Sequence, residues 1–133
     1  MYQFRKEERL CSKKFLDKLF NNGSSFLVYP FRVVHLREPL PVHYPAQVVI
    51  VVPKRRFKRA HDRNLIKRRI REAYRLHKES SLYPFLSEHH IQLLLSLQYV
   101  GKEIVDYKVI NKKLLAVFGQ LAKIYVEDAG KGS

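Results

Sequence analysis

Twelve lysines and arginines stand between Lys54 and Lys78, at positions 54, 55, 56, 58, 59, 63, 67, 68, 69, 71, 75 and 78, against only Asp62 and Glu72. Cations at this density suit one kind of chemistry: they neutralise phosphates and release the counterions condensed on a nucleic acid. If the stretch from Arg63 to Lys78 is helical, a step of about 100° per residue puts Arg63, Asn64, Lys67, Arg68, Arg71, Arg75 and Lys78 on one broad face. Ile66, Ile70, Ala73 and Tyr74 fall on the adjoining face. The series Arg63, Lys67, Arg71, Arg75 contains three like-charge pairs at i,i+4, each costing about 0.2–0.5 kcal/mol in a free helix. A merely solvated face would interleave acids, whereas an uninterrupted one gains by meeting a polyanion. Asn64, amid the cations, both donates and accepts, which suits a base edge, a sugar hydroxyl or a metal-bound water.

Other chemistries find little to work with. Metal-dependent nucleases hold ions with clustered carboxylates, yet adjacent acids occur here only at Glu7-Glu8 and Glu127-Asp128, near the ends. His89 and His90 are neighbours and would point apart on a strand. Neither they nor the lone Cys11 has zinc-site spacing. His61 and His77 on the basic stretch read better as phosphate contacts or packing than as an acid–base pair. None of the five glycines builds a phosphate-cradling loop. We therefore expect no catalytic residue and no two-metal or zinc site; the sequence does not say whether another metal ion binds the protein.

The whole chain agrees with a basic binding protein. Its net charge of +14 and isoelectric point near 10.1 attract polyanions of every kind. An anionic membrane is the poorer partner, because the longest apolar runs fall far short of the ~20 residues of a spanning helix. The N-terminus from Met1 to Glu8 is charged and lacks an apolar signal region. A single cysteine cannot form an internal disulfide, and the cytoplasm is the expected compartment. At 133 residues the expectation is one domain over 1–133, with 1–9 and 127–133 flexible.

The elements that must position the cations emerge from periodicity. Ser12 caps a helix carrying Phe15, Leu16, Leu19 and Phe20, and Gly23 closes it. Phe26 to Arg37 reads as a strand, ended by the loop Glu38 to Pro41. Gln47 to Val52 reads as a strand covered on both faces, ended by Pro53. The central helix spans about 59–78, and Pro84 blocks its continuation. Ile91 to Tyr99 alternates as another strand with one strongly apolar face. Tyr107 to Tyr125 repeats apolar residues as a last amphipathic helix. The economical architecture is α+β: a single mixed sheet packed with three helices, in the order α-β-β(-β)-α-β-α.

The run from Phe57 to Glu72 also resembles a family signature, that of the bacterial ribonuclease P protein component. The signature is an Ala, two variable residues, then Arg-Asn-x-aliphatic-Lys-Arg-x-x-Arg-Glu, met here from Ala60 to Glu72. Many family members have a third basic residue directly after Arg-Asn, where this chain has Leu65. The resemblance implies a left-handed βαβ crossover and a non-catalytic subunit of an endoribonuclease whose active site lies in its RNA, with Mg2+ held mainly by that RNA. It implies that Arg63, Asn64, Lys67, Arg68 and Arg71 contact the catalytic RNA, and the surrounding cations Lys54, Arg55, Arg59 and Arg75 extend that surface. It further implies that a cleft with Leu16, Phe20 and Val34 holds the 5′ leader of precursor tRNA, where an unpaired base can stack on Phe20. The competing reading is a structural RNA-binding protein of ribosomal type, which shares the basicity but not the ordered signature. A DNA-binding module ranks last, because crowded long cations favour phosphates over base edges.

Overall fold

A computed structural model describes residues 3–127; residues 1–2 and 128–133, where flexible ends are expected, lie outside the described residues. A short 3-10 turn, Lys6–Glu8, precedes helix α1 (Lys13–Asn22). The Phe15 amide donates to Ser12 Oγ at 3.3 Å, so Ser12 caps the helix. Gly23 ends it in an extended conformation, with φ −74°. Glycine is needed there for space: a Cβ would collide with the Leu19 carbonyl oxygen and come within 3.0 Å of Val34 Cγ1 and of the His35 carbonyl oxygen. The end of α1 is thus pressed onto the sheet.

The expected strand over 26–37 is two strands, β1 (Ser24–Val28) and β2 (Phe31–Arg37), turning at Tyr29-Pro30. Proline brings no ladder donor, which makes position 30 a natural break. After β3 (Ala46–Val51) come helix α2 (Ala60–Ser81), the short helix α3 (Tyr83–Glu88), strand β4 (Leu93–Tyr99) and helix α4 (Tyr107–Ala122), which runs on as a π-helical turn to Glu127. Among the described residues there are therefore four α-helices, α3 being added to the three expected. Pro84 does block α2, but it sits in the first turn of α3, where no backbone N–H is required, and Leu82 and Leu86 are buried on either side of it.

The sheet order is β1-β2-β4-β3, with β3 parallel to β4 and the other pairs antiparallel. It is a mixed sheet, as expected. One face carries Phe31, Val33, Val48, Leu93, Leu95, Leu97 and Tyr99 against α2 and α4. Ile66, Ile70, Ala73 and Tyr74, the predicted apolar side of the central helix, are all fully buried there. Each isoleucine contributes about 1.5–3 kcal/mol by that burial. The opposite face is partly roofed by α1, whose Leu19 packs with Leu10, Val34 and Leu94. Hence β4 is buried on both faces, not one. Conversely β3, an edge strand, is buried only over Ala46–Val48 and half-exposed over 49–51.

The segment over residues 3–9 is packed rather than loose. Glu8 and Lys78, both about 1% exposed, form a buried ion pair. Lys78 also donates to the Gln3 carbonyl, Tyr83 donates its hydroxyl to Glu8, and the Arg5 amide donates to Glu8 Oε1 at 3.0 Å. Burial pushes the Tyr83 phenol well above the usual tyrosine range, which keeps it a donor. Phe4 sets its ring edge-on to Tyr74, 5.5 Å between centroids. Lys78 is therefore not part of the cationic face. Its helical angle is that of its neighbours, but the N-terminal segment covers that end of α2.

At the other end of the chain, His35 is 5% exposed and its Nδ1 lies 2.6 Å from the Tyr125 hydroxyl, which pins the π-helical turn to the sheet. Burial lowers the His35 pKa from 6.5 and pushes Tyr125 up to about 12.

These buried polar contacts carry two expected outcomes. Glu8→Ala leaves a buried ammonium unpaired and should lower the unfolding free energy in urea by about 3–5 kcal/mol, while Glu8→Leu combined with Lys78→Met restores most of the loss. A change under about 1 kcal/mol in the single variant contradicts the burial. Because the folded state disfavours the charged imidazole of His35, the unfolded chain binds more protons, so stability is present above pH 6.5 and falls as pH drops below it. His35→Gln should flatten that part of the stability–pH curve; an unchanged slope rules out the contribution.

Candidate nucleic-acid interface

The cationic surface is assembled from two elements, the loop leaving β3 and the first half of α2. After Val51 the chain turns at Pro53, whose carbonyl accepts from the Arg56 and Phe57 amides at 3.2 and 3.3 Å. Phe57 is the loop's anchor. It is 8% exposed, and its ring packs 5.9 Å from that of Tyr99. Around that anchor Lys54, Arg55, Arg56, Lys58 and Arg59 are all exposed. A loop bearing five cations would otherwise spread, so the buried ring holds charges together that repel one another.

Arg63 ties the loop to the helix. Its Nη1 donates to the Phe57 carbonyl at 2.8 Å and to the Lys58 carbonyl at 2.9 Å. The predicted RNA contact at this position thus points back into the protein. Arg69 does similar work on the far side, donating at 2.7 Å to the Val105 carbonyl ahead of α4. Arg75 pairs with Glu72 at 2.5 Å, an interaction that holds the Glu72 carboxyl below the usual carboxylate range. With Lys78 buried, four of the twelve cations serve the fold.

What remains on α2 is compact. Asn64, Lys67, Arg68 and Arg71 stand at i, i+3, i+4 and i+7, one helical stripe, and with His61 and Leu65 they line an open surface groove. No acidic side chain lines it. Asn64, Arg68 and Arg71 are exposed and Lys67 is half-buried. Leu65 offers an apolar wall where a cation would add charge. Backbone N–H groups of the first turn and Asp62 complete the helix start.

The three residues of the expected leader cleft meet different fates. Phe20 is 48% exposed and Leu16 half-buried on α1, but Val34 is 6% exposed beneath it. The surface left open on this side of the sheet is the next row, Leu27, Arg32, Gln98 and Val51, which the strand register aligns across all four strands. Leu27 is 63% exposed and Tyr29, at the turn beside it, 56%. Sequence reasoning missed this row. Alternation marks which residues share a face of a strand, but only the register shows that four of them line up beyond the edge of α1.

Among the described residues no group of three or more His, Cys, Asp or Glu side chains gathers at metal-binding distance, and no helix is long and apolar enough to cross a membrane.

Comparison with known proteins gives a consistent result. The family model described as Ribonuclease P matches residues 4–121. The chain is similar to the ribonuclease P protein component of Porphyromonas gingivalis, 37% identical over 110 residues, 82% of this chain and 79% of that protein. It is similar also to that of Petrotoga mobilis, 39% identical over 120 residues, 89% and 94% of the two chains. Among solved structures, the RNase P protein from Thermotoga maritima superposes with a TM-score of 0.67 at 24% identity, covering 85% of this chain and 96% of that one. The Staphylococcus aureus RNase P protein gives 0.64 at 20%, covering 89% and 97%. These two likenesses speak to the fold.

The division of labour among the arginines is testable by stability alone. Arg63→Ala frees two carbonyls of the loop, so it should speed hydrogen exchange at the loop amides and cost about 1.5–3 kcal/mol in urea unfolding. Arg68→Ala, on the open stripe, should stay within about 0.5 kcal/mol of the parent. Equal effects of the two substitutions contradict the assignment.

Proposed function

This chain belongs to the ribonuclease P protein family, the protein subunit of an endoribonuclease of tRNA processing, and from that premise we propose that it grips the catalytic RNA through α2 and guides the 5′ leader of precursor tRNA along the sheet. The observation that carries the proposal is the stripe Asn64, Lys67, Arg68 and Arg71, four polar side chains lining one acid-free groove. Lys54, Arg55 and Arg59 continue it onto the loop at the start of the helix. Such a surface neutralises phosphates that would otherwise repel the incoming substrate, and releases their counterions. Arg63 and Arg75 act within the protein, holding the loop and Glu72.

Bond cleavage belongs to the RNA in this reading. Mg2+ is held mainly by RNA phosphates, and the protein contributes position and charge. The leader lies beside α1, where Phe20, half-exposed, offers a face for an unpaired base and Leu16 an aliphatic contact. The open row Leu27, Arg32, Gln98 and Val51 supplies the floor that buried Val34 does not. A protein of this charge is expected to work beside its RNA in the cytoplasm.

The decisive experiment mixes the protein with a bacterial ribonuclease P RNA and a precursor tRNA at low magnesium. The parent should raise 5′ processing, and the double variant Lys67→Ala, Arg68→Ala should bind with a salt dependence flatter by about one slope unit per lost phosphate contact. No gain in processing by the parent points to a ribosomal-type binding protein instead. An unchanged slope in a folded variant removes the stripe from the interface.

A further inference from the structure

A second groove lies against the same helix, on the side away from Asn64. Its walls are the N-terminal segment and α2, and the edge strand β3 is its floor. Half-buried Ile50 forms the open floor above buried Val48 and Leu10, Phe4 lines the groove beside it, and the rim is cationic, with Arg9 from the N-terminal segment and Lys67 and Arg71 from α2. No acidic side chain lines it.

The N-terminal wall is fixed rather than draped. The Leu10 amide donates to the Val48 carbonyl at 2.9 Å, extending the sheet edge by one parallel bridge between Arg9 and Val48. Gln47 Nε2 donates to the Glu7 carbonyl at 3.1 Å, and Glu8 is held in its buried pair with Lys78. Arg9 carries its guanidinium 5.3 Å from the centroid of the Phe4 ring, so both side chains are oriented before any ligand arrives.

We infer that this groove is a binding site for an unpaired nucleotide of the catalytic RNA, its base on the apolar floor beside Phe4 and its phosphate between Arg9, Lys67 and Arg71. The inference rests on the RNA-binding reading of α2 and adds to it the residues Phe4 and Arg9. Two features select the ligand. A phosphate alone, or a paired backbone, has no use for a sunken apolar floor, whereas an unstacked base exposes an apolar face that fits one. An anionic occupant is required, because three cations converge on the rim without a carboxylate to neutralise them. The source is the catalytic RNA because Lys67 and Arg71 border both grooves, so a strand lying on the stripe continues into the second groove without leaving the protein.

Cys11 provides the test. It is the only cysteine of the chain, it is exposed, and it lines the groove. The protein carrying an iron chelate on Cys11 is bound to ribonuclease P RNA with and without precursor tRNA, and hydroxyl-radical cuts are mapped on both RNAs. The proposal expects cuts centred on an unpaired stretch of the catalytic RNA, present without the precursor. A labelled protein that binds at least about tenfold more weakly than the unlabelled one supports it too, since the adduct then blocks the groove. Cuts confined to paired regions, cuts in the precursor leader alone, or no cuts by a fully bound protein overturn it. If the unlabelled protein itself does not bind, the reading of α2 falls and this site with it. As a second readout, Arg9→Ala should weaken binding at least about fivefold, with rescue by Arg9→Lys. Arg9→Ala binding at the parent level overturns the proposal independently of the label.

Discussion

One constraint orders this molecule: α2 must bury one side against a sheet so that its other side can hold charges that repel each other. Ile66, Ile70, Ala73 and Tyr74 leave water completely, and their burial exceeds the few tenths of a kcal/mol lost at each like-charge pair. The hydrophobic layer sets the rotation of the helix, and the rotation sets where Asn64, Lys67, Arg68 and Arg71 emerge. A free helix of this sequence has no reason to form. Docked, it is a rigid scaffold for cations, and the loop before it is held to the same frame by Phe57 from below and Arg63 from the side.

The twelve basic residues of this region are not equivalent, and geometry sorts them. Arg63 and Arg69 spend donors on backbone carbonyls, Arg75 faces Glu72, and Lys78 is inside. Arginine suits the first two tasks because its guanidinium carries several donors and stays charged. The loop cations, Arg68 and Arg71 stay exposed and Lys67 half-buried. Net charge therefore overstates the exposed cationic surface, and what is left of it is compact.

Much of this was legible in the residues. The apolar side of α2, the cap at Ser12, the mixed sheet and the amphipathic last helix come from period and capping, which are local. The optional strand β1 and the short helix α3 turn on Pro30 and Pro84, where a proline says that the chain changes direction but not which element it enters next. The fate of Lys78 and Val34 was out of reach for a different reason. Each has the angle or alternation of an exposed residue, and each is covered by a segment distant in sequence: the N-terminal turn over Lys78, α1 over Val34. The open row from Leu27 to Val51 is the same lesson inverted, since a register between strands is needed to see it. Charge density and the signature from Ala60 to Glu72 located the stripe; that Arg63 and Arg69 beside it turn inward depended on carbonyls that no periodicity marks.

The contact between Glu8 and Lys78 joins residues 70 positions apart. A ribosome making this chain releases the carboxylate well before the ammonium, and the Tyr83 hydroxyl later still. Until α2 has formed, Glu8 has no partner for its carboxylate, and the β3 edge that Arg9 and Leu10 cover waits as well for β4, which comes after α2. The segment born first thus waits for residues that leave the ribosome 70 or more positions later, and the N-terminal groove closes only after α2 and β4 are made.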